Sequence, residues 1–252
     1  MNKIAFITGA TAGIGEACAI NLAKAGFDLI ISGRRQGNLV QLEKRLTSEN
    51  NCKVFSLVLD VRNQNEVDQK INSLPEVWKN IDLLVNNAGL AVGVTAIQDG
   101  IIDDWERMID TNIKGLLYIT RSVSPLMIER NQGHIINITS IAGKEVYPGG
   151  NVYCATKHAV DALTKGMRID LLPHNIKVSS IAPGMVETEF SIVRFKGDEE
   201  KADQVYKGFT PLYAKDIAET VEFVATRPAH VNINDILIMP TAQASSRDVL
   251  KK

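Results

Sequence analysis

A doubly wound α/β fold is predicted from the sequence, with a seven-stranded parallel sheet and helices on both of its faces. Short β-branched runs alternate with longer helical patterns along the chain, as in consecutive βαβ units. Most of these runs are continuously apolar, which is typical of strands that helices cover on both sides. The 252 residues contain no stretch typical of a linker, so we expect a single domain over residues 1–252.

Strand and helix candidates follow one another along the whole chain. The strand candidates are Lys3–Thr8, Phe27–Ser32, Lys53–Leu59, Ile81–Val85, His134–Thr139, Ile176–Ile181 and Asp235–Met239. The helical patterns cover Gly13–Ala25, Gln36–Glu49, Asn63–Ser73, Ile102–Glu129, Val152–Leu172 and Lys215–Thr226. The stretch Glu187–Pro211 has no clear period and carries many charges, so we expect residues 186–211 to form a mobile cover over a site.

Composition excludes several classes of partner. The 28 basic and 29 acidic residues give a net charge of −1, which argues against nucleic-acid binding. Cys18, Cys52 and Cys154 are scattered, and the histidines form no cluster, so we expect reduced thiols and no metal site. The chain begins directly with a strand pattern, and its apolar runs are shorter than the ~20 residues of a membrane helix. We therefore expect a cytoplasmic protein that acts on a small molecule, away from membranes.

A glycine-rich turn, Thr8–Gly15, joins the first predicted strand to the first helix. Glycines at these positions let the backbone turn tightly and approach a pyrophosphate, whose charge lies at the helix N-terminus. The same glycines would also serve an ordinary strand-to-helix turn. The position of the turn, straight after strand one, favours nucleotide binding in a Rossmann-type fold.

The end of the second predicted strand indicates which dinucleotide binds. An acidic residue there would hold the ribose 2′-hydroxyl of NAD. This chain instead has Arg34 and Arg35, whose guanidinium groups suit a 2′-phosphate. The two arginines could also be solvated surface charges, but the missing acid points the same way, and we predict NADP as the cofactor.

Polar residues also follow the third and fourth strands. Asp60 and Val61 come where an adenine ring would lie, and the Asp60 carboxylate could accept a hydrogen bond from the adenine amine. Aspartate is equally common there as a turn or cap residue. Asn86–Gly89, after strand four, is open to the same two interpretations.

Tyr153 and Lys157 stand at positions i and i+4 of a predicted helix, so their side chains share one face. An ammonium near a phenol lowers the pKa of the phenol, which makes the tyrosine a usable proton donor and acceptor. Ser140, at the end of strand five, could hydrogen-bond to a developing alkoxide. A tyrosine and a lysine at this spacing also occur by chance on helix surfaces.

Five motifs follow one another in the order and spacing of the short-chain dehydrogenases/reductases, which the chain resembles over nearly its whole length. They are Thr8–Gly15, Asn86–Gly89, Ser140, Tyr153–Lys157 and Pro183-Gly184. The resemblance implies that Ser140 and Tyr153 hold the substrate oxygen. It implies that Lys157 binds the nicotinamide ribose and tunes Tyr153, and that Asn112 supports a proton-relaying water. The predicted cofactor contacts are Gly9, Thr11, Ala12, Gly13, Ile14, Gly15, Arg34, Arg35, Asp60, Val61, Asn87, Ala88, Gly89, Tyr153, Lys157, Pro183, Gly184, Val186 and Thr188.

Further stretches are similar to one subgroup, the NADP-dependent 3-hydroxy acid dehydrogenases, which are also called serine or allo-threonine dehydrogenases. These stretches are Ser73–Pro75, Trp78, Asp104–Glu106, Gly149–Val152, Thr188–Ser191, Val193–Asp198 and Pro228–Asn234. The resemblance implies interconversion of the β-hydroxyl of serine, allo-threonine, 3-hydroxyisobutyrate or 3-hydroxypropionate with the matching 3-oxo acid or semialdehyde. It also implies a homotetramer.

Two features bear on the substrate and the assembly. A carboxylate substrate needs a cation, and we expect Arg194 of the cover to grip it beside Ser140, although a solvated loop charge explains Arg194 as well. The helices expected to pair subunits carry apolar stripes that an ordinary core contact would also explain. The stripes are Met108, Leu116 and Ile119 on one helix, and Val160, Leu163 and Met167 on the other.

Two other functions stay open at this point. One is a reductase of another carbonyl class, such as a 3-ketoacyl thioester, a sugar or a steroid. The other is a non-catalytic NADP-binding sensor, against which the intact set of Asn112, Ser140, Tyr153 and Lys157 argues. Cys154 follows the tyrosine where a small residue is usual, and its thiol is small enough for activity to survive.

Overall fold

The computed structural model describes residues 2–252 and confirms the predicted fold class. The strands are β1 Ile4–Ile7, β2 Asp28–Gly33, β3 Val54–Val58, β4 Ile81–Asn86, β5 Gly133–Ile138, β6 Ile176–Pro183, β7 Val186–Glu187, β8 Leu212–Tyr213 and β9 Asp235–Ile238. Seven of them form one sheet in the order β3-β2-β1-β4-β5-β6-β9. Every pairing in this sheet is parallel, and its strands nearly coincide with the seven predicted runs.

Helices cover both faces of the sheet. They are α1 Gly13–Lys24, α2 Gln36–Glu49, α3 Gln64–Asn72, α4 Ile102–Ile109, α5 Leu116–Glu129, α6 Asn151–Asp170, α7 Phe190–Arg194, α8 Glu199–Tyr206 and α9 Ala214–Ala225. None of the helices described for residues 2–252 is long and apolar enough to cross a membrane.

The apolar strand runs fill two cores, one on each face of the sheet. In β1, Ala5 and Ile7 pack into the core that α1, α2 and α9 cover, whereas Ile4 and Phe6 pack into the core beneath α3 and α5. This split follows from the strand period of two, which turns successive side chains to opposite faces. It explains why the runs are continuously apolar and not alternating.

The long predicted helix Ile102–Glu129 is not one regular helix. A π-helical segment, Asp110–Gly115, separates α4 from α5 and leaves the chain direction unchanged. Gly115 accommodates close packing there, because a side chain at this position would press on Val61. Short π segments inside helices are often found at functional sites, and this one carries Asn112.

The predicted cover, residues 186–211, contains more regular structure than its sequence pattern shows. It begins with β7, which pairs with β8 just beyond it, and it includes α7 and α8. Lys196 and Gly197 have φ of +56° and +90° and turn the chain between the two helices. Asp198 then begins α8, since its side chain accepts a hydrogen bond from the backbone N–H of Lys201. Helices this short leave no readable period.

The apolar stripes expected at a subunit interface are mostly core contacts within the chain. Met108, Leu116, Ile119 and Val160 are all buried in the single chain, and Leu163 and Met167 are partly buried. The alternative interpretation of the stripes is therefore the right one for these residues.

Candidate active site

A cavity of about 670 Å³ opens at the carboxyl edge of the sheet. It lies where the strand order reverses between β1 and β4, which is where ligands bind in open α/β sheets. The turns after β1 to β6 and the predicted cover form its walls. All the predicted site residues line this cavity except Gly15 and Asn112.

The glycine-rich turn is tied to the end of β4. The Thr8 hydroxyl accepts hydrogen bonds from the backbone N–H groups of Asn87 and Ala88, both at 3.0 Å. The Asn87 side-chain amide donates to the Thr8 carbonyl at 2.9 Å. Gly15 is buried, and a side chain on it would collide with the backbone of Gly9 and the amide of Asn87. Gly15 therefore permits close packing behind the cavity wall, and its contact with the cofactor stays a prediction.

The front of the turn has the shape and donors that a pyrophosphate requires. Gly9 and Gly13 have φ of +67° and +56°, a region that favours glycine. Ala12, the residue before α1, has no side chain to cap the helix, so the first N–H groups of α1 lack a side-chain acceptor. An anion at this helix N-terminus would accept from these groups. The residues present therefore fit a dinucleotide.

The two arginines after β2 lie exposed at the far end of the cavity. Arg35 donates to the Thr11 hydroxyl through Nε and Nη2, at 3.2 and 3.1 Å. Its Nη1 is 3.0 Å from a carboxylate oxygen of Glu189, a cover residue that the sequence did not indicate. Within residues 2–252, Arg34 has no hydrogen-bonding side-chain partner. The pair gives this end of the cavity the positive charge that a 2′-phosphate needs.

Asp60 is held by a neighbour that the sequence reasoning missed. Arg62 binds both carboxylate oxygens, with Nη2 2.6 Å from Oδ2. Burial opposes the charged form of Asp60, but the hydrogen bonds from Arg62 outweigh it and keep the pKa of this carboxyl below its ordinary value. The carboxylate that was expected to face adenine is thus already paired.

Ser140, Tyr153 and Lys157 are brought together and are each at most 9% exposed. Ser140 precedes a short turn and accepts a hydrogen bond from the backbone N–H of Ala142 at 3.1 Å. Burial raises the pKa of Tyr153 well above its ordinary value, and the nearby Tyr147 raises it further. A hydrogen bond with Ser140 lowers this pKa but does not offset burial.

The Lys157 ammonium is buried and hydrogen-bonds to the backbone. Its Nζ donates to the backbone carbonyl of Ile138 at 2.9 Å. Burial lowers the pKa of the lysine to about 8. Desolvation dominates both groups, so in this arrangement the pKa of the phenol is raised and not lowered, and the tuning of Tyr153 by Lys157 stays a prediction.

Asn112 lies behind the cavity and joins three segments of the chain. Its Oδ1 accepts from the Leu90 N–H, and its Nδ2 donates to the Leu90 carbonyl, both at 2.8 Å. Nδ2 also donates to the Thr156 hydroxyl on α6 at 3.0 Å. The amide therefore fixes the chain after β4 against the helix that carries Tyr153 and Lys157.

Arg194 lies above the tyrosine. Its guanidinium carbon is 5.9 Å from the ring centroid of Tyr153 and 5.2 Å from that of Tyr147. Nη2 donates to the Tyr147 hydroxyl at 2.8 Å, and within residues 2–252 the buried Nε has no hydrogen-bond partner. Phe190 closes another side, with its ring centroid 5.8 Å from that of Tyr153. The structure thus places a cation and an aromatic wall over the phenol.

Several lining residues were missed because no motif marks them. The main ones are Arg107, Tyr147, Met185, Glu189, Phe190, Tyr206 and Gln243. Cys154 lies behind Tyr153, and burial raises the pKa of its thiol, as expected of an inert core residue. The described residues contain no group of His, Cys, Asp and Glu that could hold a metal ion.

Known proteins resemble this chain in both sequence and structure. The family model described as short chain dehydrogenase matches residues 3–199. The NADP-dependent 3-hydroxy acid dehydrogenase of Salmonella typhi is 50% identical over 242 residues, 96% of each chain. Sulfoacetaldehyde reductase 2 of Chromohalobacter salexigens is 46% identical over 247 residues, 98% of this chain and 97% of the relative. The closed form of a serine dehydrogenase complexed with NADP⁺ superposes with a TM-score of 0.93, at 46% identity and 99% coverage of both chains.

Proposed function

The chain belongs to the short-chain dehydrogenase family, and from that premise we propose that it is an NADP-dependent dehydrogenase of small 3-hydroxy acids. It interconverts the β-hydroxyl of acids such as serine, allo-threonine, 3-hydroxyisobutyrate and 3-hydroxypropionate with the matching 3-oxo acid or semialdehyde. The observation that carries the substrate class is the Arg194 guanidinium above the Tyr153 ring.

NADP is the proposed cofactor because the cavity fits both of its ends. The turn around Gly9 and Gly13 receives the pyrophosphate, and Arg34 and Arg35 receive the 2′-phosphate. Pro183 and Gly184 line the part of the cavity beside Ser140, where the nicotinamide would lie, and Val186 and Thr188 also line the cavity. The name of the Salmonella relative and the ligand of the serine dehydrogenase structure support the same cofactor. When bound, NADP accepts hydride from the alcohol carbon or donates hydride to the carbonyl carbon.

The chain itself handles the proton and the orientation of the substrate. Tyr153 takes the hydroxyl proton in oxidation and returns it to the carbonyl oxygen in reduction. Ser140 donates a hydrogen bond to the same oxygen and fixes its position. Lys157 holds the nicotinamide ribose, and Asn112 keeps α6 in register with the chain after β4 and supports the relay of protons to solvent.

Arg194 selects the acid group of the substrate. A guanidinium is a fork of donors that binds carboxylate in two places, and among the described residues only Nη2 of the Arg194 guanidinium donates to a partner, which leaves Nη1 for an anion. A neutral sugar or steroid would leave this partly buried cation without an anion, which makes other reductase classes a poorer fit. The buried set of Ser140, Tyr153 and Lys157 likewise supports an enzyme over a sensor.

Reduction of a sulfonate aldehyde is a second candidate activity. The relative from Chromohalobacter salexigens is named a sulfoacetaldehyde reductase, and it shares 46% identity with this chain. A guanidinium binds sulfonate oxygens by the same donors that it offers to carboxylate. The Arg194 site therefore suits both anions.

The domain and assembly proposals rest on the whole fold. One seven-stranded sheet contains strands from β1 to β9, which supports one domain, and the walls that residues 186–211 contribute to the cavity support a mobile cover. We also propose a cytoplasmic homotetramer. Ile169 and Leu172 are 73% and 72% exposed at the end of α6, so a neighbouring subunit has apolar surface to cover.

The substrate class is tested by following NADPH absorbance with a panel of compounds. L-serine, L-allo-threonine, 3-hydroxyisobutyrate, 2-hydroxyethanesulfonate and a simple secondary alcohol are each offered with NADP⁺ and with NAD⁺. We expect turnover of the hydroxy acids with NADP⁺ and little with NAD⁺. The Tyr153→Phe enzyme should lose several orders of magnitude in kcat while still binding NADPH.

The outcomes of this panel separate the alternatives. Turnover of the sulfonate alone would make the second activity the principal one. If the wild-type enzyme binds NADPH but turns over none of the anionic substrates, the proposed substrate class is wrong. The protein would then be a reductase of another carbonyl class or a sensor.

The role of Arg194 predicts a selective loss of affinity for acids. Arg194→Ala should raise KM for a hydroxy acid roughly 10- to 100-fold, since a hydrogen bond to a charged group is worth about 1.5–3 kcal/mol. KM for a neutral alcohol should stay within about twofold, because that substrate has no anion to lose. Arg194→Lys keeps the charge but loses the two-pronged donor geometry, so its KM for the hydroxy acid should lie between those of wild type and Arg194→Ala. Equal KM values for the acid in wild type and Arg194→Ala would rule out this contact.

A further inference from the structure

A buried carboxylate lies in the wall that faces the cover. Asp104 is in the first turn of α4, and its side chain is 8% exposed. Its Oδ2 is 2.7 Å from Nζ of Lys196, whereas Nη1 of Arg107 is 4.0 Å from Oδ1. A desolvated carboxylate is costly unless a cation pairs with it, so the close partner is Lys196.

Lys196 reaches Asp104 through an unusual backbone conformation. It stands two residues beyond the end of α7, and its φ of +56° is in the left-handed region that residues with a side chain seldom adopt. Such a conformation persists where the surroundings impose it, and it is often found at functional segments. Here the turn carries the Lys196 ammonium back toward α4.

A second tie lies beside the ion pair. The backbone N–H of Gly93 donates to the carbonyl of Arg194 at 2.9 Å. Gly93 has φ of +74°, and a side chain on it would press against Oδ2 of Asp104 at 3.3 Å. The end of α7 is therefore fastened twice to one place, by the Arg194 backbone and by the Lys196 side chain.

This anchoring point is rigidly connected to the reacting end of the cavity. Met108, one turn after Asp104, packs in the same apolar cluster as Tyr153 and Leu90. Whatever fixes α7 to α4 also fixes the distance between the cover and the phenol. Arg194, whose own carbonyl forms one of the two ties, is the cover residue that this geometry places over Tyr153.

We propose that Asp104 and Lys196 are a positioning pair that holds the end of α7 against α4 and so sets the Arg194 guanidinium where the acid group of the substrate binds. The proposal rests on the proposed function for the nature of that acid group. Moving the cover away leaves Asp104 with only the more distant Arg107, which favours the closed arrangement. The pair acts on the substrate through Arg194 and touches no reacting atom.

Another role for Asp104 has to be separated from this one. A carboxylate in the first turn of a helix stabilises the helix N-terminus, and in that case Lys196 is only a solvated partner of Asp104. Lys196→Met leaves α4 and Asp104 in place, and Lys196→Arg keeps a cation for Asp104. A matched control is Lys201→Met, since Lys201 pairs with Asp198 on the same cover and, among the described residues, has no ion pair or side-chain hydrogen bond to α4.

The experiment measures KM and kcat for a hydroxy acid with NADP⁺, and hydrogen exchange of residues 190–198 in the NADP⁺-bound enzyme. Lys196→Met should raise KM about 10-fold, change kcat about twofold or less, leave Kd for NADP⁺ unchanged, and speed exchange in this segment. Asp104→Asn should do the same, and the double variant should be no worse than the poorer single one. Lys196→Arg and Lys201→Met should resemble wild type in both readouts.

Two results would overturn the positioning pair. One is a Lys196→Met enzyme with wild-type KM and wild-type exchange, and the other is a double variant whose loss is the product of the single losses. If Asp104→Asn fails to fold, the Lys196 variants still decide the question. Wild-type enzyme that turns over no acid would contradict the proposed function, whereas the exchange of residues 190–198 would still test the pair.

Discussion

Burial sets the protonation of the two ionisable groups beside the substrate position. Removal from water disfavours the charged form of each, so the pKa of the Tyr153 phenol rises and that of the Lys157 ammonium falls to about 8. Near neutral pH the phenol therefore carries its proton and is ready to donate it to a carbonyl oxygen. Oxidation of an alcohol needs the phenolate, so its rate should increase toward higher pH while reduction does not.

The desolvated lysine also has a cost in stability that can be measured. The pKa of Lys157 in the folded protein, about 8, lies below its ordinary value of 10.5. Between these pH values the unfolded chain binds more protons, so the free energy of unfolding rises with pH across this window. The cost is fully present below pH 8, at about 1.4 kcal/mol per pKa unit.

Lys157→Met should therefore be inactive yet more stable at neutral pH. Loss of the hydrogen bond to Ile138 offsets about 1 kcal/mol of a cost of about 3.5 kcal/mol, which leaves a net stabilisation of about 2.5 kcal/mol and a Tm several degrees higher at pH 7. The gain should shrink as the pH approaches 10.5, where the lysine is uncharged in the wild-type fold. Thermal unfolding at pH 7 and pH 10 measures both effects. A variant that melts below wild type at pH 7 would contradict this balance.

Among the elements, those with a readable period could be predicted and the others could not. The strands of the main sheet were visible because helices cover both of their faces and most of the residues in them are apolar. The π-helical segment Asp110–Gly115 was not, because one extra residue in a turn barely alters the apolar pattern on either side. The cover helices α7 and α8 are too short to show a period at all.

The residues of the site also divide into those that a local sequence pattern predicts and those that only the fold reveals. The glycine turn, the arginines after β2, and the tyrosine–lysine pair are local patterns, so they were found from the sequence. Tyr147, Phe190 and the Asp104–Lys196 pair come from segments that only the fold brings together. Phe190, Asp104 and Lys196 lie in stretches that resemble the subgroup, but no pattern there indicates what they contact. The carbonyl partner of Lys157 could not be predicted either, because whether a lysine faces a phenol or a carbonyl is decided by packing.

At the scale of the whole molecule, the doubly wound sheet separates binding from reaction along one edge. The turns after β1 to β4 form the dinucleotide half of the cavity, and β5, β6, α6 and the cover form the reacting half. A dinucleotide that spans both halves makes contacts only in the folded state. Its binding should therefore stabilise the entire domain by mass action.

This coupling predicts that NADPH protects the protein from heat much better than NADH. A ligand at 100 times its Kd stabilises a fold by about 2.7 kcal/mol, or roughly 5–10 °C in Tm for a domain of this size. NADH at the same concentration should give a small shift, because it has no phosphate for Arg34 and Arg35. Thermal unfolding with each nucleotide, without any substrate, measures the difference.

Replacing both arginines, as Arg34→Leu with Arg35→Leu, should reduce the NADPH shift to that of NADH. Arg45→Leu is the matched control, since Arg45 is an exposed arginine on α2 that does not line the cavity. Equal shifts from the two nucleotides in the wild-type protein would contradict the preference for NADP. If the double variant still shows a larger Tm shift with NADPH than with NADH, other residues bind the 2′-phosphate. Removing the two charges at the end of β2 would then have left the phosphate contacts unchanged.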